Sequence, residues 1–198
     1  DIDVRVGNDV IAIDRKKRTV TVRELATGRE YTERYDALAL CAGAEPIRPP
    51  LPGIDLPGIH VLRRIGDMDV IKAEFDAALN AAANPSDVHC VVIGAGYIGL
   101  EMAENLRHRG ATVDVVEMAD QILPPLDHEI SVPVERHLRS RGVGLHLSTA
   151  AAAFTARVGG GLNVELKNST VLDADLVIGT SAGSLTGAGI EPGADAPV

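Results

Sequence analysis

The sequence is poor in aromatic residues, with three tyrosines, two phenylalanines and no tryptophan among 198 residues. The hydrophobic content of 45% therefore rests mainly on alanine, valine, isoleucine and leucine. This composition is ordinary for a globular protein and typical of a parallel β-sheet whose two faces are both covered by helices. It predicts an α/β fold.

Basic residues are also scarce, because 19 lysines and arginines stand against 28 acidic residues, for a net charge of −9. Such a charge disfavours a nucleic-acid partner, whose phosphates it would repel. No apolar run approaches the ~18 residues that suggest a membrane span. The N-terminal stretch DIDVRVGND lacks the basic and apolar regions of a signal peptide. We therefore expect a cytoplasmic protein without nucleic-acid or membrane partners.

Cysteine is represented only by Cys41 and Cys90, each inside an apolar run and without a CxxC motif. We expect both to be buried and reduced. No histidines pair at metal-ligand spacing, so the sequence predicts no metal site.

The first third of the chain has the pattern of β structure. Valines and isoleucines dominate the start of residues 1–38, and TVTVREL at 19–25 alternates with period two. The apolar run within 31–44 predicts a buried strand that ends at Gly43. Residues 45–58 contain five of the eleven prolines, which predicts a stiff extended crossover and a domain boundary.

A helix is predicted after this crossover, with Asp67 as its N-cap and an end before Pro85. Its apolar face comprises Ile71, Phe75, Ala78, Leu79 and Ala82.

Residues 89–117 form a strand, a glycine-rich turn, a helix and a second strand, in that order. The strand at 90–94 is continuously apolar, and the turn fits GxGxxG. Gly94 permits a sharp turn, Gly96 lets a pyrophosphate approach the backbone, and Gly99 lets the helix lie close to the strand. Together with the strand and helix that flank it, this motif predicts a dinucleotide-binding site.

The helix after the turn offers unpaired N–H groups and a positive dipole end to phosphates. Its predicted buried stripe comprises Ile98, Met102 and Leu106, and Gly110 is its predicted C′ residue. Glu117 ends the second strand, where a carboxylate accepts hydrogen bonds from ribose hydroxyls and repels a 2′-phosphate. Because residues 118–120 are Met-Ala-Asp and offer no cation, we predict NADH over NADPH.

Further elements follow this unit. Asp127 leads into a helix in which Ile130, Val134 and Leu138 share a face, while Pro133 falls either in its first turn or at a kink. The remaining predicted elements are a strand at 142–147, a hairpin across 159–161 and a buried strand at 171–179.

The GxSxG pattern at 179–183 raises the alternative of an α/β-hydrolase nucleophile elbow. The elbow requires a helix after Ser181, but SLTGAGIEPG is a poor helix. All six histidines precede Ser181, whereas that fold orders its triad as serine, acid and histidine. A hydrolase is therefore disfavoured.

Three segments resemble the pyridine nucleotide–disulfide oxidoreductases, and in particular the branch of CoA-disulfide reductases, NADH oxidases and polysulfide reductases. They are YDALALCAGAEPIRPPLPGI, IGAGYIGLEMAENLRHRGATVDVVEM and LPPLDHEI, and the similarity covers about residues 1–178. The resemblance implies a strip of the FAD domain at 1–53, a Rossmann-like NAD(H)-binding domain at 54–178 and a divergent tail at 179–198.

The resemblance also implies roles for individual residues. The three glycines of the motif would hold the pyrophosphate, and Glu117 would hold the adenosine ribose. Tyr97 matches an aromatic that lies over the flavin, and Glu101 matches an acid near the nicotinamide and flavin. Further implied cofactor neighbours are Ala95, Ile98 and Met118 at the NAD site, and Ala42 and Gly43 beside the FAD.

Several parts of the family pattern are missing from this sequence: the first FAD-binding βαβ, the redox-active cysteine, the C-terminal FAD segment and the dimerisation domain. The start at Asp1 without methionine likewise favours a piece of a longer protein, and the resemblance implies that this parent is a homodimer. The resemblance implies that the parent passes hydride from NADH to FAD, and then reduces a sulfur compound or oxygen. We expect the chain alone to bind NADH, to retain no FAD and to be inactive; the alternative is an NAD(H)-sensing module without chemistry.

Overall fold

The computed structural model of the chain describes residues 2–43 and 48–180. The chain divides into two compact units between Gly43 and Ala44. The predicted boundary after residue 53 lies further along the chain than this division. Residues 48–53 belong to the second unit, in which the N–H of Phe154 donates to the carbonyl of Pro52 and Ile54 is buried.

The first unit is an antiparallel meander of β1 (Asn8–Asp14), β2 (Thr19–Glu24) and β3 (Glu30–Arg34). The alternation predicted for 19–25 is confirmed, because Val20 and Val22 are buried on one side of β2. The Asp14 carboxylate accepts a hydrogen bond from the N–H of Lys17 and so closes the turn after β1. The prediction of β structure is thus confirmed for residues 8–34.

The buried strand predicted to end at Gly43 is wrong. Residues 35–43 carry no strand, Leu40 is 73% exposed, and Cys41 is exposed rather than buried. A strand requires a neighbour to satisfy its backbone, and no described strand pairs with this segment.

The second unit contains the elements predicted around the glycine-rich turn. In chain order they are β4 (Ile59–Val61), α1 (Ile65–Ala81), a 3₁₀ turn (Pro85–Asp87), β5 (His89–Ile93), α2 (Tyr97–His108), β6 (Thr112–Val116), α3 (His128–Ser140), β7 (Val143–His146), β8 (Ala151–Ala156), β9 (Leu162–Leu166), β10 (Val171–Ala174) and β11 (Leu176–Gly179). The parallel sheet has the order β4-β11-β5-β6-β7, and β10-β9-β8 form a separate antiparallel sheet. The α/β fold class is confirmed, as are the strand at 142–147 and the hairpin across 159–161.

The parallel sheet is buried on both faces, but among the described residues helices cover only one of them. Cys90 and Val92 of β5 pack with residues of α1, α2 and α3, whereas Val91 and Ile93 pack with residues of the antiparallel sheet. The composition led us to expect helices on both faces. A continuously apolar strand indicates that both of its sides are buried. It does not indicate whether a helix or a second sheet covers each side.

The prediction of a stiff extended crossover is wrong for residues 52–58, which form successive turns. Helix α1 begins at Ile65, so Asp67 is its third residue and not its N-cap. The Asp67 carboxylate still serves the helix start, because it accepts hydrogen bonds from the N–H groups of Arg63 (2.9 Å) and Arg64 (2.7 Å). These two donors lower the pKa of Asp67.

Two predicted helix faces need correction. Met102 and Leu106 of α2 are buried, but Ile98 is 48% exposed and lines a groove between α1 and α2. In α3, Ser131 is buried in place of Ile130, which is 55% exposed. Pro133 lies inside α3, beyond its first turn. The Gly110 prediction is confirmed, since this residue follows the C-cap of α2 with φ +96°.

The single strand predicted at 171–179 is two strands in two different sheets. Asp175 separates β10 from β11; its N–H donates to the carbonyl of His89 (2.7 Å), and its carboxylate accepts from the N–H of His89 (2.9 Å). Over 2–43 and 48–180, no helix is long and apolar enough to cross a membrane.

Candidate dinucleotide-binding site

The glycine-rich turn joins β5 to α2 at the carboxyl edge of the parallel sheet. Gly94 has φ +106°, a backbone conformation that favours glycine, and its N–H donates to the carbonyl of Val116 at 2.8 Å. The chain therefore leaves β5 while it is still bonded to β6. This is the sharp turn that the sequence predicted at Gly94.

Gly99 is the position at which α2 comes closest to this turn. A Cβ on Gly99 would overlap the carbonyl oxygen of Gly94, and would lie 2.9 Å from the hydroxyl oxygen of Thr180. The predicted reason for glycine here, close approach of helix and strand, is confirmed.

The surroundings of Gly96 are open, in contrast to the crowded surroundings of Gly99. Gly96 precedes α2 in an extended conformation, and nothing lies within 4 Å of the place that a Cβ would occupy. The first N–H groups of a helix lack intrahelical partners, and they point with the positive end of the helix dipole toward this space. An anion that approaches Gly96 would therefore meet backbone donors without a steric obstacle, so these residues fit a pyrophosphate.

Glu117 brings a carboxylate to the edge of the turn. One oxygen accepts from the N–H of Ala95 at 2.7 Å, and the other accepts from the N–H of Ala119 at 3.0 Å. Each carboxylate oxygen has further acceptor capacity. The half-buried side chain is thus held in place and can still accept hydrogen bonds from a ribose.

The remaining predicted residues of the NAD site differ in exposure. Ala95 is fully buried, so its side chain serves packing and only its backbone belongs to the site. Tyr97 is 61% exposed, and Met118 is 44% exposed. Tyr97 and Glu101 line a groove between α2 and α3, and Glu101 also reaches the groove between α1 and α2.

The residues predicted beside FAD lie in the other unit of the chain. Ala42 and Gly43 belong to the first unit, in an exposed segment without strand structure. Their predicted place beside FAD therefore stays a prediction. The GxSxG serine at position 181 and the tail that follows lie outside the described residues.

Two features of the site were not foreseen from the sequence. The Leu123 N–H donates to the carbonyl of Ala95 at 2.8 Å, and the Thr180 hydroxyl lies 3.3 Å from the carbonyls of Ile93 and Gly94. Neither residue stands near the motif in sequence, and no spacing rule points to it. Only the adjacency of β11 and β5 brings Thr180 under the turn.

Comparison with known proteins decides the family. A family model described as pyridine nucleotide-disulphide oxidoreductase matches residues 1–185. The chain belongs to this family. The predicted resemblance is therefore confirmed, and the family is one of oxidoreductases.

Among curated relatives, an NADH oxidase of Lactococcus lactis subsp. cremoris is 37% identical over 150 residues, which are 75% of this chain and 32% of that protein. A coenzyme A disulfide reductase of Staphylococcus haemolyticus is 30% identical over 180 residues, which are 90% of this chain and 37% of that protein. The chain spans about a third of the length of the first relatives that it matches.

Solved structures of the family share the fold. Reduced CoADR-RHD of Bacillus anthracis superposes on this chain with a TM-score of 0.71 at 36% identity. The match covers 93% of this chain and 32% of the Bacillus protein. The water-forming NADH oxidase of Lactobacillus brevis bound to NADH superposes with a TM-score of 0.69 at 29% identity, with 86% of this chain and 36% of that one covered.

Proposed function

We propose that this chain is the NADH-binding part of a flavin-dependent NADH oxidoreductase. The observation that carries the proposal is the open backbone at Gly96 beside the fixed carboxylate of Glu117. The first feature suits a pyrophosphate and the second suits the adjoining ribose. Bound NADH would supply a hydride, and the chain's residues would bind and orient the nucleotide.

The nucleotide preference follows from charge. Glu117 places a negative charge where NADPH carries its 2′-phosphate, and the next residues are Met118, Ala119 and Asp120, which supply no cation. A phosphate there would meet repulsion without a compensating partner. NADH is therefore the preferred nucleotide.

The parent reaction is proposed from the relatives. Their names include NADH oxidase and coenzyme A disulfide reductase, and we propose oxygen or a sulfur compound as the acceptor of the parent. Other relatives are named rhodocoxin reductase and ferredoxin reductase, whose acceptors are proteins. The flavin would be held largely by parts of a longer protein, because this chain spans only about a third of the length of the NADH oxidases among these relatives. The parent would be a homodimer, as the family resemblance implies.

Titration of the purified chain with NADH and NADPH tests this proposal, with binding followed by nucleotide fluorescence. The expected result is saturable NADH binding that is tighter than NADPH binding, without a flavin absorption band and without NADH oxidation. Equal or tighter NADPH binding would contradict the nucleotide preference. A bound flavin with turnover would contradict the proposal that other parts of the parent hold the flavin.

A second candidate is an NAD(H)-binding module without chemistry. It is supported by the open backbone at Gly96 and the fixed carboxylate of Glu117, which suit a nucleotide without requiring a flavin. Sequencing the gene upstream separates the two candidates. A second GxGxxG and a cysteine before Asp1 support the oxidoreductase, whereas a natural start near Asp1 supports the binding module.

A further inference from the structure

We propose that Thr180 is a positioning residue for dinucleotide binding. Together with Glu117, it holds the peptide group between Gly94 and Ala95 from both sides and so fixes the orientation of the glycine-rich turn. The inference rests on the proposed function for its ligand. We call the contacts of Thr180 and Glu117 with this peptide group the clamp. These contacts are present in the chain without a bound nucleotide.

The first half of the clamp is Glu117. The carbonyl of Gly94 and the N–H of Ala95 belong to one planar trans peptide group and point to opposite sides of it. On the N–H side, the Glu117 carboxylate accepts the hydrogen bond at 2.7 Å. A bond of this kind to a charged acceptor is stronger than one between neutral groups.

The second half is Thr180. Its hydroxyl lies 3.3 Å from the carbonyl oxygen of Gly94 and 3.3 Å from that of Ile93. A hydroxyl has one proton to donate, so the two carbonyls share it. Thr180 is itself fixed, since it is 6% exposed and its N–H donates to the carbonyl of Ile93 at 3.2 Å.

A clamp matters at this peptide because glycine restrains it weakly. Gly94 has no Cβ and adopts φ +106°, so the residue itself offers little steric resistance to rotation of the peptide group that follows it. If the peptide rotated, the N–H groups of the turn would lose their common direction. Fixing it before the nucleotide arrives lowers the ordering cost of binding.

The test compares Thr180→Val and Thr180→Ala, which remove the hydroxyl, with Thr180→Ser, which keeps it. Thr149→Val is a matched control, because Thr149 is also buried and its hydroxyl has no hydrogen-bond partner among the described residues. The first measurement is hydrogen exchange of the Ala95 amide by NMR, without nucleotide. The second is the Kd of NADH and of adenosine, which lacks the phosphates.

We expect faster Ala95 exchange in the Val and Ala variants, and wild-type exchange in Thr180→Ser and Thr149→Val. The NADH Kd should rise about three- to tenfold without the hydroxyl, as for one lost hydrogen bond, while the adenosine Kd stays unchanged. Wild-type exchange and wild-type NADH affinity in both hydroxyl-free variants would overturn the proposal. An equal loss of adenosine binding would overturn it too, since that indicates general destabilisation.

The exchange measurement keeps the two proposals apart. If the wild-type chain fails to bind NADH, the proposed function fails. The Ala95 exchange rates then still decide whether Thr180 holds the turn.

Discussion

At the residue scale, Glu117 combines a local structural role with a proposed ligand role. Its carboxylate ties the turn to the end of β6 through Ala95 and Ala119. The same charge faces the place proposed for the ribose. A change at this position should therefore affect both affinity and selectivity.

Substitution Glu117→Gln should reduce the preference for NADH over NADPH by about tenfold, because it removes the charge that opposes the 2′-phosphate. Glutamine keeps an oxygen that can accept from Ala95, so the fold should be retained. The ratio of the two Kd values is the measurement. Glu104→Gln, an exposed acid on α2, serves as the control, and a similar change in both variants would rule out a specific role for Glu117.

The two cysteines should differ in reactivity. Cys90 is buried in β5, and desolvation together with the charge of Asp175 raises its pKa to about 12. At pH 8 its thiolate fraction is then roughly one in ten thousand, whereas Cys41 is exposed. A colorimetric thiol reagent should count one reactive thiol in the native chain and two after unfolding. Rapid reaction of both native thiols would contradict the burial of Cys90.

At the element scale, the β5–turn–α2 unit assigns different tasks to glycines of one motif. Gly99 serves the packing of α2 against the turn, and Gly96 keeps the ligand side of the turn open. Position in the motif predicted these tasks, and the surroundings of each missing Cβ agree with them.

The variants Gly99→Ala and Gly96→Ala should therefore fail in different ways. Gly99→Ala forces α2 away from Gly94 and should cost about 1–3 kcal/mol of unfolding free energy. Gly96→Ala meets nothing in the fold and should keep the wild-type Tm, but its methyl group should obstruct the pyrophosphate and weaken NADH binding. Thermal unfolding and NADH titration measure the two effects. Equal losses of Tm would refute this separation.

At the scale of the whole molecule, both hydrophobic core clusters consist of residues of the second unit. One core packs three helices on the parallel sheet, and the other packs the antiparallel sheet on the opposite face. Every residue of the two cores lies between Leu51 and Ile178. The first unit, in contrast, is a three-stranded meander whose Val10, Ile11 and Ile13 are substantially exposed.

A chain shortened to residues 44–198 should therefore unfold cooperatively with an almost unchanged Tm, and it should bind NADH as the full chain does. Circular dichroism during heating and an NADH titration provide the measurements. Loss of the cooperative transition would show that residues 1–43 are required for the fold of the second unit.

Sequence reasoning succeeded where short-range chemistry decides the structure. The positive φ at Gly94, the end of α2 at Gly110 and the hairpin across 159–161 depend mainly on neighbours within a few residues. It failed at Ile98, Ile130 and the 171–179 segment. There the outcome depends on which distant element lies opposite, and hydrophobic periodicity does not contain that information.

The sequence by itself determined the βαβ unit, the family and the residues of the glycine-rich motif, because glycine geometry and apolar burial act locally. Only the tertiary structure decided that an antiparallel sheet, and not helices, covers one face of the parallel sheet. It alone also placed Thr180 beneath Gly94, since β11 pairs with β5 across more than eighty residues of intervening chain. Pairing between strands so far apart in the sequence depends on the packing of the whole unit.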